Sequence, residues 1–89
     1  MAILLLIMAK VSKMNPLAIN WIGGDVHLYE NHIEQTNEQI SRKPFLLPTL
    51  NITKELNNLD DIINLTIDDF ELVNYESHHR IKAELSVGL

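Results

Sequence analysis

The amino-acid sequence predicts a chain of the α+β class. Residues 1–12 are apolar and rich in helix-forming side chains, whereas residues 50–53 and 70–73 alternate between apolar and polar side chains, as strands do. A polar stretch from Glu30 to Ser41 has the composition of a second helix. With 89 residues and 46% hydrophobic side chains, the chain is large enough for at most one domain.

The first predicted helix, residues 1–12, is apolar on every side, which is typical of a helix inside a larger protein. It begins without a Ser, Thr, Asp or Asn that could cap its free amide groups. We therefore expect that further residues of the same fold belong upstream of it. Asn15 and Pro16 are expected to end the helix, because proline disfavours helical geometry in the residue before it.

The apolar run at the N-terminus is too short to predict a membrane segment. It stops after nine residues at Lys10, whereas a spanning helix needs about 20. No basic region precedes it and no small-residue cleavage site follows, as a signal peptide would require. The sequence therefore predicts a cytoplasmic protein that does not bind membranes.

The net charge of -5 argues against a nucleic-acid partner, because phosphate backbones are bound by an excess of Lys and Arg.

Residues 17–22 are apolar except for Asn20, and they predict a strand that is covered on both faces. Gly23 and Gly24 are expected to end or bulge this strand.

The most polar stretch of the chain follows these glycines. If residues 25–29 are extended, Asp25, His27 and Tyr29 project to one face. A carboxylate, an imidazole and a phenol can together donate to and accept from hydroxyl groups, which suits a sugar or another small polar ligand. The alternative, an edge strand whose solvent face is polar, stays open at this point.

Residues 30–41 predict a helix that lies on a surface, because its apolar stripe is thin and carries mainly Ile33 and Ile40. Asn31 and His32 are assigned to the start of this helix and to packing. Beyond it, Pro44 and Pro48 bracket a stiff connector that leads into the predicted strand at 50–53.

The second half of the chain is expected to contain one short helix and one strand. The polar stretch from Asn57 to Leu65 predicts a helix opened at Asn58, and residues 70–73 predict the strand.

The residues alone complete no catalytic site. The chain has no Cys, which excludes thiolate chemistry and thiolate metal sites. His27 and His32 are five residues apart, and His78 and His79 are adjacent. Neither pair has the spacing of a zinc motif, so no metal site is predicted.

The string Gly-Gly-Asp-Val-His-Leu-Tyr-Glu-Asn-His at 23–32 resembles the C-terminal third of thymidylate synthase. The resemblance continues through Ile-Ser-Arg-Lys-Pro at 40–44, Ile-Asp-Asp-Phe-Glu-Leu at 67–72 and Ile-Lys-Ala at 81–83. Because it covers essentially the whole chain, residues 1–89 are interpreted as a C-terminal fragment of a thymidylate synthase domain.

The resemblance implies a homodimeric α+β enzyme whose helices pack on a twisted mixed sheet. It implies methylation of deoxyuridine monophosphate (dUMP) to thymidylate (dTMP), with methylenetetrahydrofolate as the one-carbon donor. His27 and Tyr29 would then hydrogen-bond the 3′-hydroxyl of the deoxyribose. Residues 81–89, which we name the lid segment, would close over the folate, and Ser86 would contact it.

The resemblance also implies what this chain lacks. In the family the catalytic cysteine, the phosphate-binding arginines and the base-reading asparagine lie upstream of the matching region. We therefore expect no catalytic residue in this chain, no activity when it is alone, and a missing upstream part of the synthase as its partner. Two alternatives remain: a fragment of a deoxypyrimidine monophosphate hydroxymethylase, and a non-catalytic remnant or interaction module.

Overall fold

The computed structural model describes residues 1–85, which form two compact units. The first unit comprises residues 1–21 and 47–75, and the second comprises residues 22–46 with the described residues from Glu76 onward. The predicted α+β class is confirmed, since the described residues contain helices and a two-stranded antiparallel sheet. In chain order the helices and strands are α1 (Ala2–Ser12), α2 (Ile33–Ser41), β1 (Thr49–Ile52), α3 (Leu59–Ile63) and β2 (Phe70–Val73).

Helix α1 of the first unit confirms the predicted N-terminal helix. It ends at Ser12, as predicted, because Lys13 adopts the left-handed conformation with φ of 57° and closes the helix before Asn15 and Pro16 are reached. The amide of Met14 then bonds to the carbonyl of Ala9 at 2.9 Å, which satisfies one of the last free carbonyls of the helix. Its first turn has no side-chain cap, as predicted.

Strands β1 and β2 form the sheet of the first unit. Their register pairs Thr49 with Val73 and Ile52 with Phe70. The strand predicted at 70–73 is confirmed, and the one predicted at 50–53 begins one residue earlier. The Nζ atom of Lys10 on α1 donates to the carbonyl of Ile52, so the helix is held at the end of β1.

The connection between β1 and β2 is organised by two capping boxes. Asn58 caps α3, as predicted, by accepting from the amide of Asp61 at 3.0 Å, while the Asp61 carboxylate accepts from the amide of Asn58 at 3.2 Å. The same reciprocal arrangement joins Thr66 and Asp69 at the 3-10 turn Ile67–Asp69, which precedes β2. Leu56, at 3% exposed, is one of two buried hydrophobic residues in the described chain.

Much of the apolar surface of the first unit is uncovered. Ile3, Leu4 and Met8 on α1 are each slightly more than half exposed. An apolar cavity of about 320 Å³ lies beside the helix, and its lining residues are Ile3, Leu50, Ile67, Phe70 and Leu72. The helix is therefore apolar on all sides, as the sequence predicts, but the described residues leave a large part of it facing solvent.

The strand predicted at residues 17–22 is wrong. This segment has no regular secondary structure, and Leu17 and Ile22 are 97% and 92% exposed. A strand needs a neighbour that accepts and donates its backbone hydrogen bonds. Within residues 1–85 the sheet consists of β1 and β2 alone, so the segment has no strand to pair with.

The second unit contains a 3-10 turn, Glu30–His32, that continues directly into α2. The predicted helix over 30–41 is thus confirmed, with a tighter first turn. The chain bends at Gly24 and Asp25, close to the break that the sequence predicts at the two glycines, but neither glycine has a positive φ. A Cβ atom at Gly24 would meet nothing within 4 Å, so the bend itself does not require glycine there.

Among the described residues, no helix has the length and apolar character to cross a membrane.

Candidate functional site: a polar strip and the segment that returns to it

Residues 25–29, which we name the polar strip, bring three chemically different side chains together in the second unit. The Nδ1 atom of His27 lies 3.4 Å from an Asp25 carboxylate oxygen. The rings of His27 and Tyr29 meet edge to face, with centroids 5.2 Å apart and an interplanar angle of 79°. The predicted grouping of Asp25, His27 and Tyr29 on one side of the chain is therefore present.

The polar strip is open to solvent. The side chain of Asp25 is 96% exposed and that of His27 is 56% exposed. At 3.4 Å and with this exposure, the contact between the two is weak. It nevertheless favours the tautomer in which Nδ1 carries the proton and faces the carboxylate. The Nε2 atom of a neutral His27 is then an acceptor that a ligand hydroxyl can use.

Tyr29 stands at the junction between the polar strip and the helix. Its backbone is extended, with φ of -71° and ψ of 141°, and the amide of His32 bonds to its carbonyl at 2.9 Å. The hydroxyl of Thr36 donates to the carbonyl of His32 at 2.8 Å. These two bonds fix the backbone of His32 from both directions, and so fix the place from which its side chain projects.

The side chain of His32 contacts two other parts of the second unit. Its ring meets that of Tyr29 edge to face, with centroids 6.1 Å apart. Its Nε2 atom lies 2.7 Å from the carbonyl oxygen of Glu84, which belongs to the lid segment. Because a carbonyl can only accept, Nε2 of His32 is the donor. His27, Tyr29, His32 and Glu84 therefore form a continuous line of contacts.

A second group of contacts holds the chain just before the lid segment. The ring of His78 stacks on Phe45 with centroids 4.4 Å apart, and its Nε2 donates to the carbonyl of Lys43 at 2.8 Å. Arg42 donates to the carbonyl of His79 at 2.6 Å and pairs with Glu38 on α2. We name this group the clasp. It fastens the residues after Glu76 to the end of α2 and to the chain that follows it.

The structure describes some of the predicted site residues but not all of them. It places His27 and Tyr29 in contact, whereas Ser86 lies outside the described residues. His32 forms part of the turn that starts the helix, as predicted, but its contact with Glu84 was missed. The two residues are 52 positions apart, and no local pattern indicates such a pairing. Within residues 1–85, no three His, Asp or Glu side chains converge as a metal site would require.

A comparison with known protein families shows to which family this chain belongs. Residues 1–87 match the sequence model of thymidylate synthase. The chain therefore belongs to the thymidylate synthase family, whose members are methyltransferases that use methylenetetrahydrofolate.

Similar curated proteins are the thymidylate synthases of three strains of Francisella tularensis subsp. holarctica, FTNF002-00 / FTA, OSU18 and LVS. Each is 52% identical to this chain over 67 residues. The matched region is 75% of this chain but 23% of each relative, so the chain spans about a quarter of the length of the relatives it matches.

Proposed function

We propose that this chain supplies the C-terminal part of a thymidylate synthase that converts dUMP to dTMP. The observation that carries the proposal is the pairing of His27 with Tyr29 on an exposed strip, in a chain that belongs to this family. An imidazole acceptor and a phenol beside each other match the two needs of a single hydroxyl group, which both donates and accepts.

In this proposal the polar strip binds the deoxyribose. Nε2 of His27 accepts a hydrogen bond from the 3′-hydroxyl, and the phenol of Tyr29 donates a hydrogen bond to the hydroxyl oxygen. Asp25 does not touch the nucleotide, and instead keeps His27 in the tautomer that can accept. The edge-to-face contact of the two rings limits their rotation, so that less side-chain freedom is lost when the nucleotide binds.

The lid segment is proposed to cover the one-carbon donor, methylenetetrahydrofolate, with Ser86 as a contact to it. Support comes from the clasp and from His32, which together hold the chain between Glu76 and Glu84 against the end of α2, the chain that follows it and the turn that precedes it. Closing such a segment excludes water and completes the site.

The bond-making chemistry is proposed to come from residues outside this chain. The sequence contains no Cys and only two Arg residues, Arg42 and Arg80. The nucleophile and the phosphate-binding cations would therefore lie in the remaining part of the synthase. In a homodimer, the partner subunit would supply some of these cations. The chain alone is proposed to be inactive, because a binding strip without the nucleophile does not open the reaction path.

A fusion enzyme tests this proposal. The part of the Francisella synthase that precedes the matched region would be joined to residues 1–89 of this chain, and folate-dependent formation of dTMP from dUMP would be measured. The controls are the Francisella part alone and this chain alone, both of which should be inactive. Activity of the fusion above both controls supports the proposal, and a folded fusion without activity contradicts it.

The same fusion separates the alternatives. Turnover of deoxycytidine monophosphate or release of a hydroxymethylated product would indicate a hydroxymethylase. Stable association of the separate chain with the Francisella part, without turnover of either nucleotide, would indicate an interaction module.

A further inference from the structure

We propose that His32 is a positioning residue that couples the polar strip to the lid segment. The inference rests on the proposed function, because it assigns the sugar to the strip and the folate to the lid. The geometry that carries it is the placement of one imidazole between Tyr29 and the backbone of Glu84.

The contact with the lid segment is specific in its chemistry. At 2.7 Å the bond from Nε2 of His32 to the Glu84 carbonyl is short for an N–H donor and an oxygen acceptor. It requires the proton on Nε2, so the second nitrogen of a neutral ring is an acceptor. The side chain of Gln35, one turn further along α2, approaches the same segment at the Lys82 carbonyl, but at 3.5 Å that bond is long. His32, at the end of the 3-10 turn that leads into α2, therefore makes the shorter of these two hydrogen bonds to the segment.

The contact with the polar strip is made by the ring itself. The rings of Tyr29 and His32 are nearly perpendicular, at 84°, as are those of His27 and Tyr29 at 79°. A nucleotide hydroxyl held by His27 and Tyr29 fixes the orientation of the tyrosine ring. The tyrosine ring in turn restricts the imidazole of His32, and the oriented imidazole presents its Nε2 proton to Glu84.

Loss of the Nε2 donor should consequently loosen the lid without removing the groups that contact the sugar. His32→Phe keeps a flat ring against Tyr29 but has no donor. His32→Gln has no ring, yet its amide nitrogen can reach the position of Nε2. Asn37→Ala changes an exposed position on the same helix and serves as the matched control.

In the fusion enzyme, His32→Phe should raise the KM for methylenetetrahydrofolate about three- to tenfold, the range expected for loss of one hydrogen bond. The KM for dUMP should change less than about twofold, because His27 and Tyr29 remain. His32→Gln should restore the folate KM to within about twofold of the unaltered enzyme. Equal changes in both KM values, or a folate KM that stays the same in His32→Phe, would overturn the coupling role.

A second measurement on the 89-residue chain does not depend on enzymatic activity. Trypsin cleaves after Lys82, two residues before the tethered Glu84, and after Lys13 in the first unit, which serves as an internal reference. His32→Phe should raise the ratio of the cleavage rate after Lys82 to that after Lys13 about three- to tenfold. His32→Gln should bring this ratio back to the value of the unaltered chain. Far-UV circular dichroism would establish that each variant folds.

If His32→Phe does not fold, His32→Leu removes the same donor with a smaller apolar side chain. It should raise the folate KM and the cleavage ratio over the same range, and unchanged values of both would overturn the inference. If the fusion enzyme is inactive, the cleavage ratio still decides whether His32 tethers the segment. Failure of the proposed function and failure of this inference thus give different results.

Discussion

The ring of His78 stacks on that of Phe45, with centroids 4.4 Å apart and an interplanar angle of 25°. The adjacent His79 is used differently, because only its backbone carbonyl takes part in the clasp. Two neighbouring histidines therefore have unequal roles. One contributes its side chain to the fold of the second unit, and the other contributes its backbone.

This difference predicts unequal effects of two alanine substitutions. His78→Ala loses a stacked ring pair and the bond to the Lys43 carbonyl, which together are worth about 1 to 2 kcal/mol. Hydrogen exchange of the amides near Arg80 should then accelerate about fivefold to thirtyfold. His79→Ala is the matched control and should change exchange less than about twofold. Similar exchange in both variants would contradict the role of the stack.

A second prediction concerns the tautomer of His27. Asp25→Ala removes the carboxylate that faces Nδ1, which frees the ring to place its proton on either nitrogen. Because the contact is 3.4 Å long and Asp25 is exposed, the expected loss is small, about a twofold to threefold rise in the KM for dUMP in the fusion enzyme. Glu30→Ala, which removes an exposed carboxylate nearby in sequence, should leave this KM within about twofold. A tenfold or larger rise for Asp25→Ala would indicate direct contact with the nucleotide instead.

A third prediction concerns the capping box of α3. Asn58→Ala should destabilise the helix by about 1 kcal/mol, because the amide of Asp61 loses its acceptor. Asn58→Asp retains an acceptor at the same position and should cost far less. The measurement is hydrogen exchange of the amides in Leu59–Ile63 for the two variants. Equal exchange in Asn58→Ala and the unaltered chain would show that the cap does not limit the opening of this helix.

A fourth prediction concerns the uncovered apolar surface of the first unit. Since α1 and the cavity beside it expose contiguous apolar side chains, the isolated chain should self-associate. Ile3→Glu places a charge at the border of that cavity and should shift the sedimentation profile toward monomer. Asn37→Asp adds the same charge at an exposed polar position of α2 and should leave the profile unchanged. A monomeric unaltered chain would contradict this prediction.

The parts of the fold that the sequence predicts well are those with local causes. Asn58 caps α3 because its side chain reaches an amide three residues away, and β2 follows the alternation of Phe70 through Val73. The end of α1 at Ser12 also agrees with the helix predicted over residues 1–12, although a left-handed Lys13 closes the helix before the proline is reached.

The features that the sequence did not predict depend on residues that are distant along the chain. Residues 17–22 have the composition of a buried strand, but composition does not supply a neighbouring strand. The grouping of Asp25, His27 and Tyr29 could be predicted from the period of two along an extended chain. The bond between His32 and Glu84 could not, because it depends on how the segment after Glu76 returns to α2.

Removal of the 3′-hydroxyl from the nucleotide tests whether His27 and Tyr29 bind this group of the deoxyribose. The affinity of the fusion enzyme for dUMP would be compared with its affinity for the analogue without the 3′-hydroxyl. We predict that the unaltered enzyme binds dUMP about tenfold or more tightly than the analogue, the range for a lost pair of hydrogen bonds. In the double variant His27→Ala with Tyr29→Phe, the preference should fall to within about twofold. If the double variant discriminated between the two nucleotides as well as the unaltered enzyme, the polar strip would not be the sugar site.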